Sequence, residues 1–173
     1  SASASSTLVE RAQALRDAVV SMRLRQASAD EAHALVVQAM ARIEQVGREQ
    51  AFADFHEVGG AFIDRDLYIF VFDRNGGISA FGSRPGLVGH PAGAIPGLEP
   101  VSFLEKAWAV ADTGGGWIQY DVVSPSTQEV SPKESYILPL GHSEFIGCGA
   151  YRREGSPAVP SSKPRAVARQ ATA

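Results

Sequence analysis

Residues 64–82, which read DRDLYIFVFDRNGGISAFG, decide the fold of this chain. From Leu67 to Phe72 every residue is apolar or aromatic, and a short, continuous apolar run of this kind predicts a strand that is covered on both faces. Neighbouring side chains of a strand point to opposite faces, so one face of this strand carries only aromatic rings. These rings belong to Tyr68, Phe70 and Phe72. An aromatic face in the middle of a sheet is either plain core or the floor of a small-molecule cavity.

A hairpin turn follows this strand. The Asn75-Gly76 pair predicts two residues with positive φ, after which Ile78 to Phe81 returns as an antiparallel strand. We expect the rest of the chain to carry this hairpin or to cover it.

The composition is that of a globular domain. The 173 residues are 45% hydrophobic and 20% charged, which suits one core of ordinary size. No apolar run approaches the roughly 18 residues that a membrane-spanning helix needs. The formal net charge is −3, but residues 152–173 carry five basic residues against one acid, so residues 1–151 carry −7. An acidic body argues against nucleic-acid binding, and the single cysteine, Cys148, excludes an internal disulfide and a cysteine-based zinc site.

Two helices are predicted before the hairpin. The first begins after Ser5-Ser6-Thr7 and runs toward Arg25, and its apolar residues have heptad spacing. These residues are Leu8, Ala12, Leu15, Val19 and Met22. The spacing fits either a helix–helix seam or a single amphipathic helix that packs on its own domain. The second helix begins at Ser28, which forms a predicted capping box with Glu31.

The second half of the chain predicts a long loop, a helix and three strands. Residues 82–100 are rich in glycine and proline, and a loop of this length is often a binding lid. A helix begins at Pro100 and ends by Gly114. The strands are predicted at 117–123, 133–140 and 144–151. We therefore expect an α+β domain with a PAS-like antiparallel sheet of about five to six strands, long N-terminal helices, helices on one face, and one helix after the lid loop.

Between Gly60 and Tyr151 the sequence resembles a single Cache domain, the PAS-like sensor module of chemoreceptors and histidine kinases. Six short motifs in the family's order carry the resemblance. They are residues 66–73, residues 75–77, residues 81–82 with 85–89, residues 114–120, residues 132–136 and residues 145–151. Many members of the family have a histidine where this chain has Phe81, so the resemblance does not imply the family's polar contact at this position or its usual ligand class.

A second resemblance covers the N-terminus. Residues 6–10, Leu15 and residues 18–24 look like the end of the cytoplasmic signalling hairpin of a methyl-accepting chemotaxis protein, which is a coiled coil. This likeness implies that the sensor domain follows the signalling region and belongs to the cytoplasmic portion of a receptor. The alternative is a periplasmic sensor domain of a membrane receptor. The implied regions are a signalling helix in 1–27, a single Cache sensor domain in 28–151 and a disordered basic tail in 152–173.

The candidate ligand site combines the aromatic face of the hairpin with polar residues of the lid and the later strands. In the family resembled, a lysine or polar group near Lys133 can meet a ligand carboxylate; the alternative is a surface lysine at the first residue of a strand. Trp117 and Tyr120 lie three positions apart on one strand, so at most one of them faces a shared pocket. Arg84 in the lid either closes over an anion or is solvated. The candidate ligand-binding residues are Tyr68, Phe70, Phe72, Phe81, Arg84, Trp117, Tyr120, Lys133 and Ser135.

No catalytic or metal-binding pattern accompanies these residues. The four histidines, His33, His56, His90 and His142, have no acid or cysteine at ligand or catalytic spacing. We therefore expect no enzyme activity, no metal and no cofactor.

These observations predict a small-molecule sensing domain of a bacterial chemotaxis receptor, which binds a ligand such as a small organic acid and passes the signal through the N-terminal helix. The alternative is a ligand-free dimerisation module with a filled PAS-like core. The expected partners are a small molecule and a second copy bound through the N-terminal helices, with no nucleic acid and no direct membrane contact.

Overall fold

The computed structural model describes residues 7–17, 27–125 and 127–152, and its elements follow the predicted order. Residues 7–17 are helical. The further helices are α1 (Ala29–Val46), α2 (Arg48–Phe55) and α3 (Pro100–Ala111). The strands are β1 (Ile63–Asp64), β2 (Leu67–Tyr68), β3 (Phe70–Asp73), β4 (Ile78–Phe81), β5 (Gly116–Val123), β6 (Val130–Leu140) and β7 (Glu144–Tyr151). Among the described residues, no helix combines the length and the apolar composition that crossing a membrane requires.

Five of the strands form one antiparallel sheet in the order β4-β3-β7-β6-β5. β7 lies at its centre, paired with β3 on one side and with β6 on the other. The short strands β1 and β2 form a separate ribbon. The predicted α+β class with a mainly antiparallel sheet is therefore confirmed.

α1 and α2 cover one face of this sheet. α1 begins at the predicted capping box, in which the Ser28 hydroxyl accepts from the Glu31 N–H at 3.2 Å and the Glu31 carboxylate accepts from the Ser28 N–H at 2.7 Å. Gly47, with a φ of 83°, ends α1 and lets the chain restart as α2. The two helices bury their apolar side chains against one side of the central strands, which presents Leu67, Ile69, Val71, Ile146 and Cys148.

α3 and the lid, residues 82–100, cover the opposite face. The expectation that the helices share one face is therefore wrong for α3. The physical reason is that β3 is apolar on both faces, so water must be excluded from both. The aromatic side of the hairpin packs under Phe103 of α3. The lid contains two short 3-10 turns, Pro85–Leu87 and Ala92–Ala94.

The turn of the β3–β4 hairpin differs from the predicted one. Of the Asn75-Gly76 pair only Gly76 has a positive φ, 84°, and residues 74–77 connect the two strands. The Asp73 carboxylate accepts hydrogen bonds from the N–H groups of Asn75 and Gly77, both at 2.8 Å. The aspartate side chain thus organises a longer loop than the Asn-Gly pair alone predicts.

The side chains of the N-terminal helical segment, residues 7–17, are all exposed. Leu8 and Leu15, which belong to the predicted heptad seam, are 70% and 68% exposed. Val19, Met22 and the predicted disordered tail after residue 152 lie outside the described residues. The division into regions 1–27, 28–151 and 152–173 stays a prediction.

Two glycines of β7 leave room for side chains on the lid side of the sheet. A Cβ at Gly147 would lie 2.5 Å from the Phe70 ring. A Cβ at Gly149 would lie 2.8 Å from both the carbonyl oxygen of Glu134 and Cε of Lys133. A close-packed interior does not tolerate such approaches. The absence of side chains at these two positions therefore permits Phe70 and Lys133 to lie close against the central strand.

We predict that Gly149→Ala lowers the free energy of unfolding by about 1–3 kcal/mol, because the added methyl group overpacks a site bounded by backbone. Urea unfolding followed by circular dichroism measures this change. The matched control is Gly86→Ala in the lid, where a Cβ would have no atom within 4 Å, and we expect a change within about 0.5 kcal/mol there. Equal stability of the two variants would show that β7 can move away from β6 without cost.

Candidate functional site

A small cavity lies between the aromatic face of the sheet and the cover formed by α3 and the lid. Its volume is about 10 Å³, on the scale of one water molecule. Strands β2 to β6, the lid and α3 contribute its lining, which consists of Tyr68, Phe70, Phe72, Phe81, Ile95, Leu98, Phe103, Tyr120, Val122 and Lys133.

Aromatic rings form most of the wall of this cavity. Phe72 packs edge-to-face on Phe103, with 5.3 Å between ring centroids, and stacks on Phe145 at 5.5 Å. The rings of Tyr68 and Phe81 meet at 4.9 Å. The alternation along β2 and β3 places these rings on one side, as the sequence predicts. A wall of this kind suits an apolar group and excludes water.

Lys133 brings a positive charge into this apolar setting. The residue is 1% exposed, so the interpretation of Lys133 as a surface lysine is wrong. Its Nζ donates to the Tyr68 hydroxyl at 3.1 Å and lies 4.3 Å from the centroid of the Tyr68 ring and 5.2 Å from that of Tyr151. In the described part of the chain no carboxylate forms an ion pair with it. An ammonium has three N–H donors, so two of them remain for a ligand.

The charge state of the cavity follows from its tyrosines. Burial lowers the pKa of Lys133, but Tyr68, Tyr120 and Tyr151 raise that pKa by more, so it lies above the usual value of a lysine. Burial also raises the pKa of Tyr120 to about 12. At neutral pH the Tyr120 hydroxyl beside Lys133 therefore keeps its proton and can donate to a bound anion.

Two hydroxyl groups belong to residues near Lys133 in the sheet, Tyr120 on β5 and Ser135 on β6. The Tyr120 hydroxyl and the Ser135 hydroxyl form a hydrogen bond of 2.8 Å. Ser135 is fully buried and shares a face of β6 with Lys133, two positions earlier. The site thus offers one cation and several hydroxyl groups to a bound molecule.

Most of the predicted site residues come together in the structure. Tyr68, Phe70, Phe72, Phe81, Tyr120 and Lys133 line the cavity, and Ser135 reaches it through the Tyr120 hydroxyl. Trp117 and Arg84 do not line it. Trp117 packs on the opposite face of the sheet, with its ring 5.2 Å from that of Tyr136, because residues three apart on a strand point to opposite sides. Arg84 lies half-buried at the start of the first 3-10 turn of the lid.

Five further residues belong to the site and are not among the predicted ones. Phe103 lies on the helix predicted from Pro100, where the sequence does not show that it faces a cavity. Val122 follows Tyr120 by two positions, which strand alternation could have revealed. Tyr151, the last residue of β7, meets the Lys133 ammonium. Ile95 and Leu98 lie in the lid, where no periodicity marks the residues that point inward.

His56 fastens the start of the lid. Its Nε2 accepts a hydrogen bond from the Phe81 N–H at 3.0 Å, which requires that nitrogen to carry no proton. Burial lowers the pKa of His56, and its hydrogen bond with the Phe52 backbone raises it by less. The isolated histidine of the sequence is thus a hydrogen-bonded part of the fold. Across residues 7–17, 27–125 and 127–152 no three His, Cys, Asp or Glu side chains are grouped so as to hold a metal ion.

We predict that His56 makes the domain less stable in mild acid. Its pKa in the folded chain lies below the ordinary 6.5, so the unfolded chain binds more protons below that pH, and the stabilisation is complete above about pH 6.5 and is lost as the pH falls. The loss in free energy of unfolding between about pH 7.5 and about pH 5.5 should be smaller in His56→Gln than in the wild type. Val58→Ala, at a 92% exposed neighbour, should keep the wild-type loss. An unchanged pH dependence in His56→Gln would contradict the prediction.

Three solved structures resemble this fold. One is a methyl-accepting chemotaxis protein from Vibrio parahaemolyticus RIMD 2210633, with a TM-score of 0.58 and 19% identity over 84% of this chain and 96% of that chain. A periplasmic sensor domain of a chemotaxis protein has a TM-score of 0.52 and 22% identity, over 82% and 98%. A Cache chemosensory domain described for its carboxylic acid recognition has a TM-score of 0.50 and 17% identity, over 84% and 97%. These identities are low, so the likeness shows the fold. A search of curated proteins finds no match.

The comparison with protein families is more specific. The model of the family described as single Cache domain 2 matches residues 7–158. This match includes the N-terminal helical segment, the ribbon, the whole five-stranded sheet, the lid and α3. It confirms the family that the motifs between residues 66 and 151 predict. The chain belongs to the single Cache domain 2 family.

Proposed function

We propose that this domain is the ligand-sensing part of a bacterial chemotaxis receptor and that its ligand is a short monocarboxylate, bound between the sheet and the lid. The observation that carries the proposal is the buried Lys133 ammonium, which is 1% exposed and has no acidic partner among the described residues.

A buried charge without a counter-charge is costly. The Tyr68 hydroxyl and two aromatic rings solvate the Lys133 ammonium only in part. A carboxylate would supply the opposite charge. It would also accept charge-assisted hydrogen bonds from the two remaining N–H groups of Lys133. The carboxylic acid recognition described for one structurally similar Cache domain supports this ligand class.

The lining also limits which acids fit. It contains one cation, Lys133, and no acidic residue. A second carboxylate would find no cation, and the ammonium group of an amino acid would find no anion. The aromatic walls formed by Phe70, Phe72 and Phe103 suit a short alkyl group. We therefore infer a monocarboxylate with a small apolar or hydroxylated tail.

The cavity is smaller than such an acid. Its volume of about 10 Å³ matches one water molecule, so an acid enters only if side chains or the lid move outward. Binding therefore favours a second arrangement of the domain over the first, and this differential affinity is what a sensor requires.

The alternative function is a ligand-free dimerisation module with a filled core. The small volume of the cavity and the ring of Phe81 at its edge favour it. This alternative leaves the buried charge of Lys133 without a role, which is why we place it second.

Calorimetry and thermal melting against acetate, propionate and lactate test the proposal, with the uncharged amides of the same acids as ligand controls. We expect heat and a raised melting temperature with at least one acid and none with the amides. Absence of any effect with all three acids would favour the filled module.

The substitution Lys133→Met separates the charge from the packing. We expect it to weaken binding of the acid at least about thirtyfold, because the counter-charge is lost. The free energy of unfolding without ligand should be unchanged or higher, since a buried charge is replaced by an apolar chain. Arg42→Met on α1 also removes one positive charge, but on the helix side of the sheet, and should bind like the wild type. Wild-type affinity in Lys133→Met would contradict the proposed site.

We further propose that the signal leaves the domain at the start of α1. The Asp66 carboxylate accepts a hydrogen bond from the Ala27 N–H at 3.0 Å, and Arg65 pairs with Glu31 of α1 at 2.7 Å. Asp66 is two residues from Tyr68, whose hydroxyl holds the Lys133 ammonium. A ligand that engages this ammonium changes the position of Tyr68 and so reaches the junction between α1 and the N-terminal segment.

The location and the oligomeric state are also proposals. One similar domain is periplasmic, which supports the second predicted location, a periplasmic sensor domain of a membrane receptor, rather than the cytoplasmic one. The exposed Leu8 and Leu15 on residues 7–17 support a homodimer formed through the N-terminal helices.

We predict that Asp66→Ala uncouples this junction from the site. Propionate affinity should stay within about threefold of the wild type, whereas the change in hydrogen exchange that propionate causes in α1 should be lost. Mass spectrometry of peptides that cover residues 27–46 measures the exchange. Asp64→Ala is the control, because Asp64 contacts Arg65 but not Ala27. A wild-type response in Asp66→Ala would place the output elsewhere.

A further inference from the structure

A second hollow adjoins the ligand cavity. It is an open cleft of about 550 Å³ on the surface, where the end of the lid and the first turn of α3 meet β5 and β6. Two residues, Phe103 and Tyr120, line both this cleft and the buried cavity. They are therefore the wall between the two spaces.

We propose that this cleft, the entrance cleft, is the route by which the acid reaches Lys133, and that the side chain of Tyr120 is its gate, closed against the buried ring of Phe103. This inference rests on the proposed function, since it concerns the access of the proposed ligand to the same site.

Tyr120 has the position that a gate requires. Its ring is half-buried and lines the cleft, while its hydroxyl points inward and bonds to Ser135 at 2.8 Å. Its ring meets that of Phe103 edge-to-face, with 4.8 Å between centroids. Tyr120 also lies on β5, an edge strand that pairs only with β6. Rotation of this side chain breaks one hydrogen bond and one ring contact and leaves the sheet intact.

The other sides of the cavity are closed more firmly. Three backbone hydrogen bonds connect the first half of the lid to the hairpin. The Ile78 N–H donates to the His90 carbonyl at 2.9 Å, the Gly89 N–H to the Ile78 carbonyl at 2.8 Å, and the Ala92 N–H to the Gly76 carbonyl at 2.9 Å. At the end of the lid, the Pro96 carbonyl accepts a hydrogen bond from the Val123 N–H at 3.2 Å. Opening the lid would break several of these bonds together. The Tyr120 side chain is thus held by fewer hydrogen bonds than the lid is.

The rim of the entrance cleft does not oppose an anion. It carries two basic residues, Lys106 and Arg152, and two acidic ones, Glu99 and Asp121. The Lys106 ammonium donates to the Gln119 carbonyl at 3.0 Å, which holds it beside the gate. Arg152 also pairs with Glu134 at 3.3 Å.

Filling the cleft from outside tests this route without touching the cavity. Ser102 lines the cleft but not the cavity, and Ser102→Trp should slow propionate entry and exit together, each by about tenfold, with an equilibrium affinity within about threefold of the wild type. Line-shape analysis of protein NMR spectra during a propionate titration measures the rates. Asp121→Trp at the exposed side of the cleft is the second variant, in case the first does not fold, and the same result is expected.

Val88→Trp is the matched control, because Val88 is an exposed residue of the lid that lines neither space. We expect wild-type rates for it. Rates that slow in Val88→Trp but not in Ser102→Trp or Asp121→Trp would overturn the proposal and place the entry at the first half of the lid.

Tyr120→Phe tests the gate itself. It keeps the ring but removes the bond to Ser135, so entry and exit should both become faster, by about fivefold for the loss of one hydrogen bond. Unchanged rates would contradict the role of this bond.

If the wild type binds none of the three acids, the proposed function fails and the route fails with it. If propionate binds at rates that no cleft variant alters, only the route fails.

Discussion

The constraint on which this site depends is that a lysine ammonium must be kept inside a protein core. Lys133 is held by one hydroxyl and two aromatic rings rather than by a carboxylate, so its ammonium has no counter-charge among the described residues. Gly149 gives the side chain its space, and α3 and the lid keep water out. The domain thus keeps a buried positive charge for which the described residues supply no opposite charge.

The fold could be predicted from local patterns where those patterns decide the structure. The alternation from Leu67 to Phe72 separated the two faces of the sheet correctly, and the Ser28–Glu31 capping box marked the start of α1. The hairpin turn could not be predicted from the Asn75-Gly76 pair alone, because the Asp73 side chain organises the loop. α3 lies on the second face of the sheet because that face is also apolar and must be covered. The number and order of the predicted helices do not show which face each helix covers.

The site was less predictable because its contacts join distant parts of the chain. The partner of the Lys133 ammonium, Tyr68, is 65 residues away, and nothing near Lys133 in the sequence shows that the lysine is buried. The family resemblance pointed to it on other grounds. Trp117 was excluded by strand alternation once Tyr120 faced the cavity, whereas Ile95 and Leu98 of the lid had no sequence signal. Side chains on regular strands were thus easier to place than side chains on an irregular loop.

Cys148 lies on β7 between the two glycines that make room for the site, but it faces the helix layer. It is fully buried, and burial raises the pKa of its thiol to about 12, so very little thiolate exists at neutral pH and reagents cannot reach it. It is also the single cysteine of the chain. The domain therefore needs no removal of Cys148 before labelling: spin labels or fluorophores can be attached at cysteines introduced into the lid or into residues 7–17 while Cys148 is left in place.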